Sequence, residues 1–335
     1  MTGVEIDRDS IRRILVIKTS ALGDIVRTFP ALVSVAKHFQ HAQISYMIGE
    51  QYVDVIEPCP YISEVIPYKK RRNMEDLSGF LRFASDIRKK RFDLVLNFQN
   101  TKRFDYLARI SGAKYRTSII TLDRPIDGVE GVFKILNTVG VYPKRRYYEF
   151  WYTDDDVSFT QDFLERNNMN DGKKIIGLNP GVAWKSKQWP VEKYAELANR
   201  LVENTGAHIV VFGNEAERDR AEQILERANY PVAIAAGDTT IRQAACIISK
   251  CCLFVSNDSG LMHVAAIQDV PTLGLFGSTN PAYHGPCREG NLSIFHAVDC
   301  SPCYCAECRL EIEKYFCMRS ITVDEVYKGA RSIMH

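Results

Sequence analysis

The chain has 335 residues, of which 46% are hydrophobic and 25% charged; this globular composition excludes disorder, collagen-like repeats and coiled coil, and the length suggests two domains. The net charge of +2 conceals an asymmetry: residues 1–150 hold 25 Lys/Arg against 17 Asp/Glu (+8), and residues 151–335 hold 18 against 24 (−6). The start, MTGVEIDRDS, lacks an apolar leader and no run of about 18 apolar residues occurs, so the expectation is a cytoplasmic protein.

From residue 11 short apolar strands alternate with helical stretches: RILVIK, a helix after Asp24, QISYMI, a helix near Tyr52, EVIPY, a helix over Asp76 to Lys90, and FDLVLNF. A helix from Val129 to Val139 follows, then the aromatic-basic KRRYYEFWY and a polar segment, where the domain boundary is expected. The alternation restarts with KIIGLNPG, a helix over Val191 to Glu203, HIVVFG, a helix over Glu215 to Ala228, VAIAAG, a helix over Ile241 to Ser249, LFVSND, a helix from Leu261, and PTLGLFG. Strands separated by helices predict parallel βαβ units, and the near-continuous apolar character of ILVI and LVLNF predicts strands covered on both faces. The fold class is therefore α/β: two doubly wound, Rossmann-like parallel-sheet domains, 1–155 and 156–335, whose ligands are expected at the carboxyl ends of the strands, with both sets of ends facing one cleft. Neither half carries a G-x-G-x-x-G after a strand or a G-x-x-x-x-G-K-[ST], which argues against a dehydrogenase or an NTPase.

Four stretches can carry chemistry. In VIKTSALGDIVRTFPAL the chain leaves an apolar strand through small residues and places Asp24 where a helix begins, either as a cap or as a functional carboxylate. In LFVSNDSGLMHVAA a strand ends at Asn257; the N–H groups of Ser259, Gly260 and Leu261, with the helix dipole behind them, form an anion site suited to a diphosphate. Asp258 there either accepts from sugar hydroxyls or caps the helix, and His263 either points to the same mouth or is a core histidine. NPGVAWKSKQWP puts Lys185 and Lys187 in a loop before a helix, where a lysine neutralises a phosphate leaving group. VVFGNEAE ends a strand with Glu215, placed for ribose hydroxyls or as a first-turn acid. Separately, Cys300, Cys303, Cys308 and Cys317 read C-x2-C-x4-C-x8-C with Cys305 inside; an all-thiolate set suits structural zinc or iron, and reduced or reversibly paired thiols are the alternative. The basic clusters at Lys69 to Arg72, Arg88 to Arg91 and Lys144 to Arg146 point to an anionic partner or to solvated faces.

With these motifs in this order, the sequence resembles the ADP-heptose:lipopolysaccharide heptosyltransferases, inverting glycosyltransferases of family 9 with the GT-B fold. The similarity runs from ILVIKTSALGDIVRTFPAL through FDLVLNFQNTKRFDYLARISGAKYR, NPGVAWKSKQWP and VVFGNEAE to VSNDSGLMHVAA and PTLGLFGSTNP. The resemblance implies Asp24 as general base on the acceptor hydroxyl and Lys187 on the donor phosphate and sugar. It implies Glu215 on the ribose, Asp258 on the heptose hydroxyls, and Ser259, Gly260, Leu261 and His263 around the diphosphate and sugar; the family usually has Thr where Ser259 stands. It also implies an acceptor-binding first half in which Arg71, Arg72 and Arg103 meet the phosphates and acidic sugars of a lipopolysaccharide inner core, in agreement with the +8. The implied partners are ADP-heptose and a Kdo or heptose acceptor, with peripheral contact at the inner face of the inner membrane and no nucleic acid; transfer itself needs no cofactor. Alternatives are a GT-B transferase using another nucleotide-sugar or acceptor, a non-catalytic nucleotide-sugar binding protein, and a metal-sulfur redox protein.

Overall fold

The structure, a computed structural model, describes residues 6–69, 77–99, 101–117 and 127–334. The chain divides into two compact units, Met1–Trp151 and Tyr152–His335. In the first, β1 (Arg13–Ile17), β2 (Gln43–Gly49), β3 (Glu64–Tyr68), β4 (Leu94–Asn97) and β5 (Tyr115–Arg116) form one sheet in the order β3-β2-β1-β4-β5. All its pairings are parallel. Chain order reverses between β1 and β4, so the crevice beyond their carboxyl ends is the switch point at which a doubly wound sheet takes its ligands.

The core of this unit follows from the apolar strands. Leu15, Ile17, Met47 and Val95 pack on one face against Ala84 and Ile87 of the helix Leu77–Lys89 and Phe104 and Leu107 of the helix Lys102–Ile110. The helix Phe29–His38 is buried along most of its length. Gly49 ends β2 where its N–H donates to the carbonyl of Thr19, and a Cβ there would stand 2.5 Å from that oxygen. Only glycine lets the ends of β1 and β2 approach this closely.

In the second unit, β6 (Ile175–Asn179), β7 (His208–Val211), β8 (Val232–Ile234), β9 (Leu253–Asn257), β10 (Thr272–Phe276) and β11 (Leu292–Phe295) pair in the order β11-β10-β9-β6-β7-β8, again all parallel. The switch point lies between β6 and β9. Both strands, and β10 beside them, are buried at every residue, as expected for strands covered on both faces. The helix Val191–Thr205 lays Val191, Tyr194, Leu197, Ala198 and Leu201 into the core and ends at Gly206, whose φ of 67° is the left-handed C-terminal cap. Val202 is only partly buried.

Several boundaries differ from the sequence expectation for local reasons. The helix expected from Glu215 begins as a 3-10 turn, Glu215–Glu217, capped by Asn214 with Glu217 reaching back, and becomes α-helical only at Arg218–Arg227. The acidic run Asp154–Asp156 occupies the first turn of the helix Asp154–Arg166, capped by Thr153, and Asp156 is buried against Arg242 at 2.5 Å. The short edge strands β5 and β11 and the C-terminal helix Val323–Ile333 were not anticipated; that helix buries Val326, Ala330 and Ile333 against the second core. Among the described residues no helix is long and apolar enough to cross a membrane.

Candidate functional site

Each switch point carries one cluster. At the first, β1 runs out through Lys18, Thr19 and Ser20, and the side chain of Gln99, just beyond β4, accepts from Thr19 N at 3.0 Å, Thr19 Oγ1 at 3.2 Å and Ser20 N at 3.3 Å. One glutamine therefore spans the crevice and fixes the loop that leads to Asp24. The helix here is Leu22–Val26 with Ala21 at its cap, so Asp24 lies in the first turn and does not cap it. Its oxygens face cations instead: Oδ2 pairs with Lys18 Nζ at 3.1 Å and Oδ1 with Arg27 Nη2. Burial pushes the Asp24 carboxyl up, but Lys18 and then Arg27 overcome it and hold the pKa down at about 2. Lys18 is lowered, because its own burial outweighs the pull of Asp24.

Of the basic residues expected to meet an acceptor, Arg71 and Arg72 lie outside the described residues. Arg103 is exposed on the helix Lys102–Ile110, where it only reduces the rise that burial causes in the Tyr68 phenol. The other clusters are partly neutralised within the unit: Lys69 pairs with Glu50, Lys89 with Asp86, Lys90 with Glu64 and Arg146 with Asp127. The acids in these pairs are already subtracted in the +8, so the net charge stands and the pairs compensate the clusters only locally.

At the second switch point the strand ends are tied by a buried polar set. Asn179, the last residue of β6, donates through Nδ2 to Ser256 Oγ at 3.0 Å and Ser259 Oγ at 2.7 Å. Asn257 donates to Pro180 O at 2.8 Å and accepts from Trp189 N at 3.2 Å. Ser259, not Asp258, is the cap of the helix Gly260–Ile267, its hydroxyl accepting from Met262 N. Asp258, 6% exposed, takes Lys187 Nζ at 2.7 Å and Thr279 Oγ1 at 2.6 Å, both on Oδ2. Burial raises the Asp258 carboxyl, but Lys187, the two hydrogen bonds and the nearby His263 bring it below the ordinary carboxylate range. Lys187 also stands 4.5 Å over the Trp184 ring. His263 is buried on the same helix.

Glu215 is exposed at the start of its 3-10 turn, with a carboxylate oxygen 2.4 Å from where a Cβ on Gly237 would stand, so it lies over the loop that follows β8. Lys185 is turned outward to Glu307 at 3.1 Å, which separates it from Lys187. Gln99, Asn179 and Thr279 were missed in the sequence. The available signal was a polar side chain at, or just beyond, the last residue of an apolar strand: LNFQ, GLNP and LFGST.

All ten cysteines are free thiols. Burial raises the Cys317 thiol, and Cys300, Cys303 and Cys308 add to the rise, so the four are neighbours. Among the described residues, however, no group of three or more His, Cys, Asp or Glu side chains is arranged to hold a metal ion. The segment that carries them lies against the loop that leaves β10: Tyr304 N donates to Ser278 O at 2.8 Å and Ser301 Oγ to Gly277 O.

Residues 80–313 match the model of glycosyltransferase family 9 (heptosyltransferase). The chain is 27% identical over 316 residues to lipopolysaccharide heptosyltransferase 1 of Pseudomonas aeruginosa, covering 88% of this chain and 87% of that one. A family 9 glycosyl transferase from Veillonella parvula superposes with a TM-score of 0.86 at 25% identity, over 99% of each chain. An E. coli heptosyltransferase solved with ADP has the same fold, with a TM-score of 0.71 at 20% identity over 96% of this chain and 99% of that one.

Proposed function

We propose, from the premise that the chain belongs to glycosyltransferase family 9, the heptosyltransferase family, that it transfers heptose with inversion from ADP-heptose to a hydroxyl of a Kdo or heptose residue in a lipopolysaccharide inner core. The observation that carries this reading is the Lys187–Asp258 pair at 2.7 Å beside the N-terminus of the helix Gly260–Ile267. A largely covered cation and a row of amide N–H groups at one strand mouth form a site for a diphosphate leaving group. The relative solved with ADP supports the choice of nucleotide.

In this reading the donor diphosphate lies on the N–H groups of Ser259, Gly260 and Leu261, and Lys187 neutralises charge as the glycosidic bond breaks. Asp258 holds Lys187 through Oδ2, which leaves Oδ1 to accept from a sugar hydroxyl, with His263 behind it; Glu215 receives the ribose hydroxyls. In the first unit, Asp24 accepts the proton of the acceptor hydroxyl as its oxygen attacks the anomeric carbon. At a pKa of about 2, Asp24 is fully ionised at neutral pH but weakly basic, so proton transfer runs late, after the C–O bond has begun to form. The Lys18 and Arg27 contacts fix the carboxylate's orientation. Arg71, Arg72 and Arg103 meet the anionic groups of the acceptor, and the lipid-borne acceptor brings the protein to the inner face of the inner membrane.

The test is ADP release from ADP-heptose with and without truncated lipopolysaccharide acceptors, wild type beside Asp24→Asn. Acceptor-dependent release by wild type and its loss in Asp24→Asn are expected. No release with any acceptor would sink the heptosyl reading, and equal turnover by Asp24→Asn would remove the base alone.

A further inference from the structure

Lys187 lies one residue beyond Ser186, a buried serine at the centre of the 3-10 turn Lys185–Lys187. Ser186 N donates to Ala306 O at 3.1 Å, and its hydroxyl donates to Cys305 O. That hydroxyl also stands 2.9 Å from Ser278 Oγ. A hydroxyl has one proton, so with that proton on Cys305 O the Ser278 hydroxyl is the donor in the second bond. Ser278 precedes Thr279, which donates to the same Asp258 oxygen that Lys187 engages. The Lys187–Asp258 pair is thus closed into a ring: along the chain to Ser186, across to Ser278, along to Thr279 and back to Asp258. The backbone of the cysteine-rich segment buttresses the ring from outside.

We propose that Ser186 is a positioning residue, and that the backbone of Cys305 and Ala306 is the anchor through which it sets Lys187 against the donor diphosphate. This rests on the assignment of Lys187 to the leaving group. It gives the cysteine-rich segment a function in transfer through its carbonyls. A cation displaced by about 1 Å from a developing charge loses much of its effect, whereas ground-state binding of a flexible diphosphate tolerates the shift.

A double-mutant cycle of wild type, Ser186→Ala, Lys187→Met and the double variant tests this, read by turnover and by calorimetric ADP binding, with thermal unfolding as the check on folding. Ser186→Ala should lower kcat by between about 10- and 100-fold, with a smaller change in ADP affinity. In the Lys187→Met background the same change should cost less than about twofold in either readout. An equal loss in both backgrounds, or no loss in the first, overturns the proposal. If Ser186→Ala does not fold, Ser278→Ala cuts the same link and enters the same cycle. If wild type transfers no heptose, the heptosyl reading and this proposal fall together, whereas transfer by wild type with no loss in Ser186→Ala overturns the proposal alone.

Discussion

Asp24 is the proposed base, and its ion pairs make its behaviour predictable. Lys18 Nζ at 3.1 Å is the larger of the influences that lower its pKa to about 2, and burial opposes it. Replacing the ammonium in Lys18→Met leaves burial opposed by Arg27 alone, so the carboxyl should move back toward the ordinary aspartate value of about 4. With the Asp24 side chain 42% exposed, solvent screens part of the pull, and a rise of about one to two pKa units is the expected size. The assay is the pH dependence of kcat/KM for ADP release. Wild type should show no loss attributable to Asp24 down to about pH 4, whereas Lys18→Met should lose activity as pH falls through about 4. Stability follows the same sign: a depressed folded pKa contributes above the unfolded value of about 4 and is lost as pH falls toward 2, so Lys18→Met should flatten the acid limb of Tm against pH. An acid limb of kcat/KM that does not move in Lys18→Met refutes the assignment of Lys18 as the cation that sets Asp24.

Asp258→Asn leaves Lys187 nearly buried without its anionic partner and should destabilise the protein by about 3 kcal/mol in urea unfolding; because the Asp258 pKa is lowered, the wild-type advantage should persist above the ordinary carboxylate range and shrink below about pH 4. Ser259→Ala removes both the helix cap and the acceptor of Asn179 Nδ2; a loss of about 1–2 kcal/mol in stability with weaker ADP binding is expected, and unchanged ADP affinity by calorimetry would contradict a diphosphate at this helix. Gly206→Ala meets no atom within 4 Å but keeps φ at +67°, so it should cost only the backbone penalty of about 1–2 kcal/mol, seen as a lower Tm with unchanged kcat. Under the proposed role of Lys187 and the helix amides at the leaving group, a chelator should leave turnover unchanged; activity lost to chelator and restored by a divalent cation would contradict that role.

The two sheets were legible because ILVI, LVLNF, KIIGLN and LFVSN are strands buried on both faces, where composition and period say the same thing. The site was legible where a motif joins a strand end to a helix start, as at Asp24 and Ser259. Roles within it were less so. Asp24 and Asp258 each read either as a cap or as a functional carboxylate; neither caps, because Ala21 and Ser259 occupy the cap positions, and Lys18 and Lys187 engage the two carboxylates instead. Gln99, Asn179, Thr279 and Ser186 act across strands that are distant in sequence, and only the strand order brings them to the switch points. The basic clusters are interleaved with acids that counts by half do not place: Glu50, Asp86, Glu64 and Asp127, scattered along the first unit, pair with Lys69, Lys89, Lys90 and Arg146.

The most direct test of the account is the product itself. Incubation of the protein with ADP-heptose and a truncated lipopolysaccharide, followed by mass spectrometry and NMR of the acceptor, should show one added heptose whose anomeric configuration is opposite to that of the donor. An acceptor that gains no heptose, or gains one with the donor's configuration retained, contradicts the proposed single displacement.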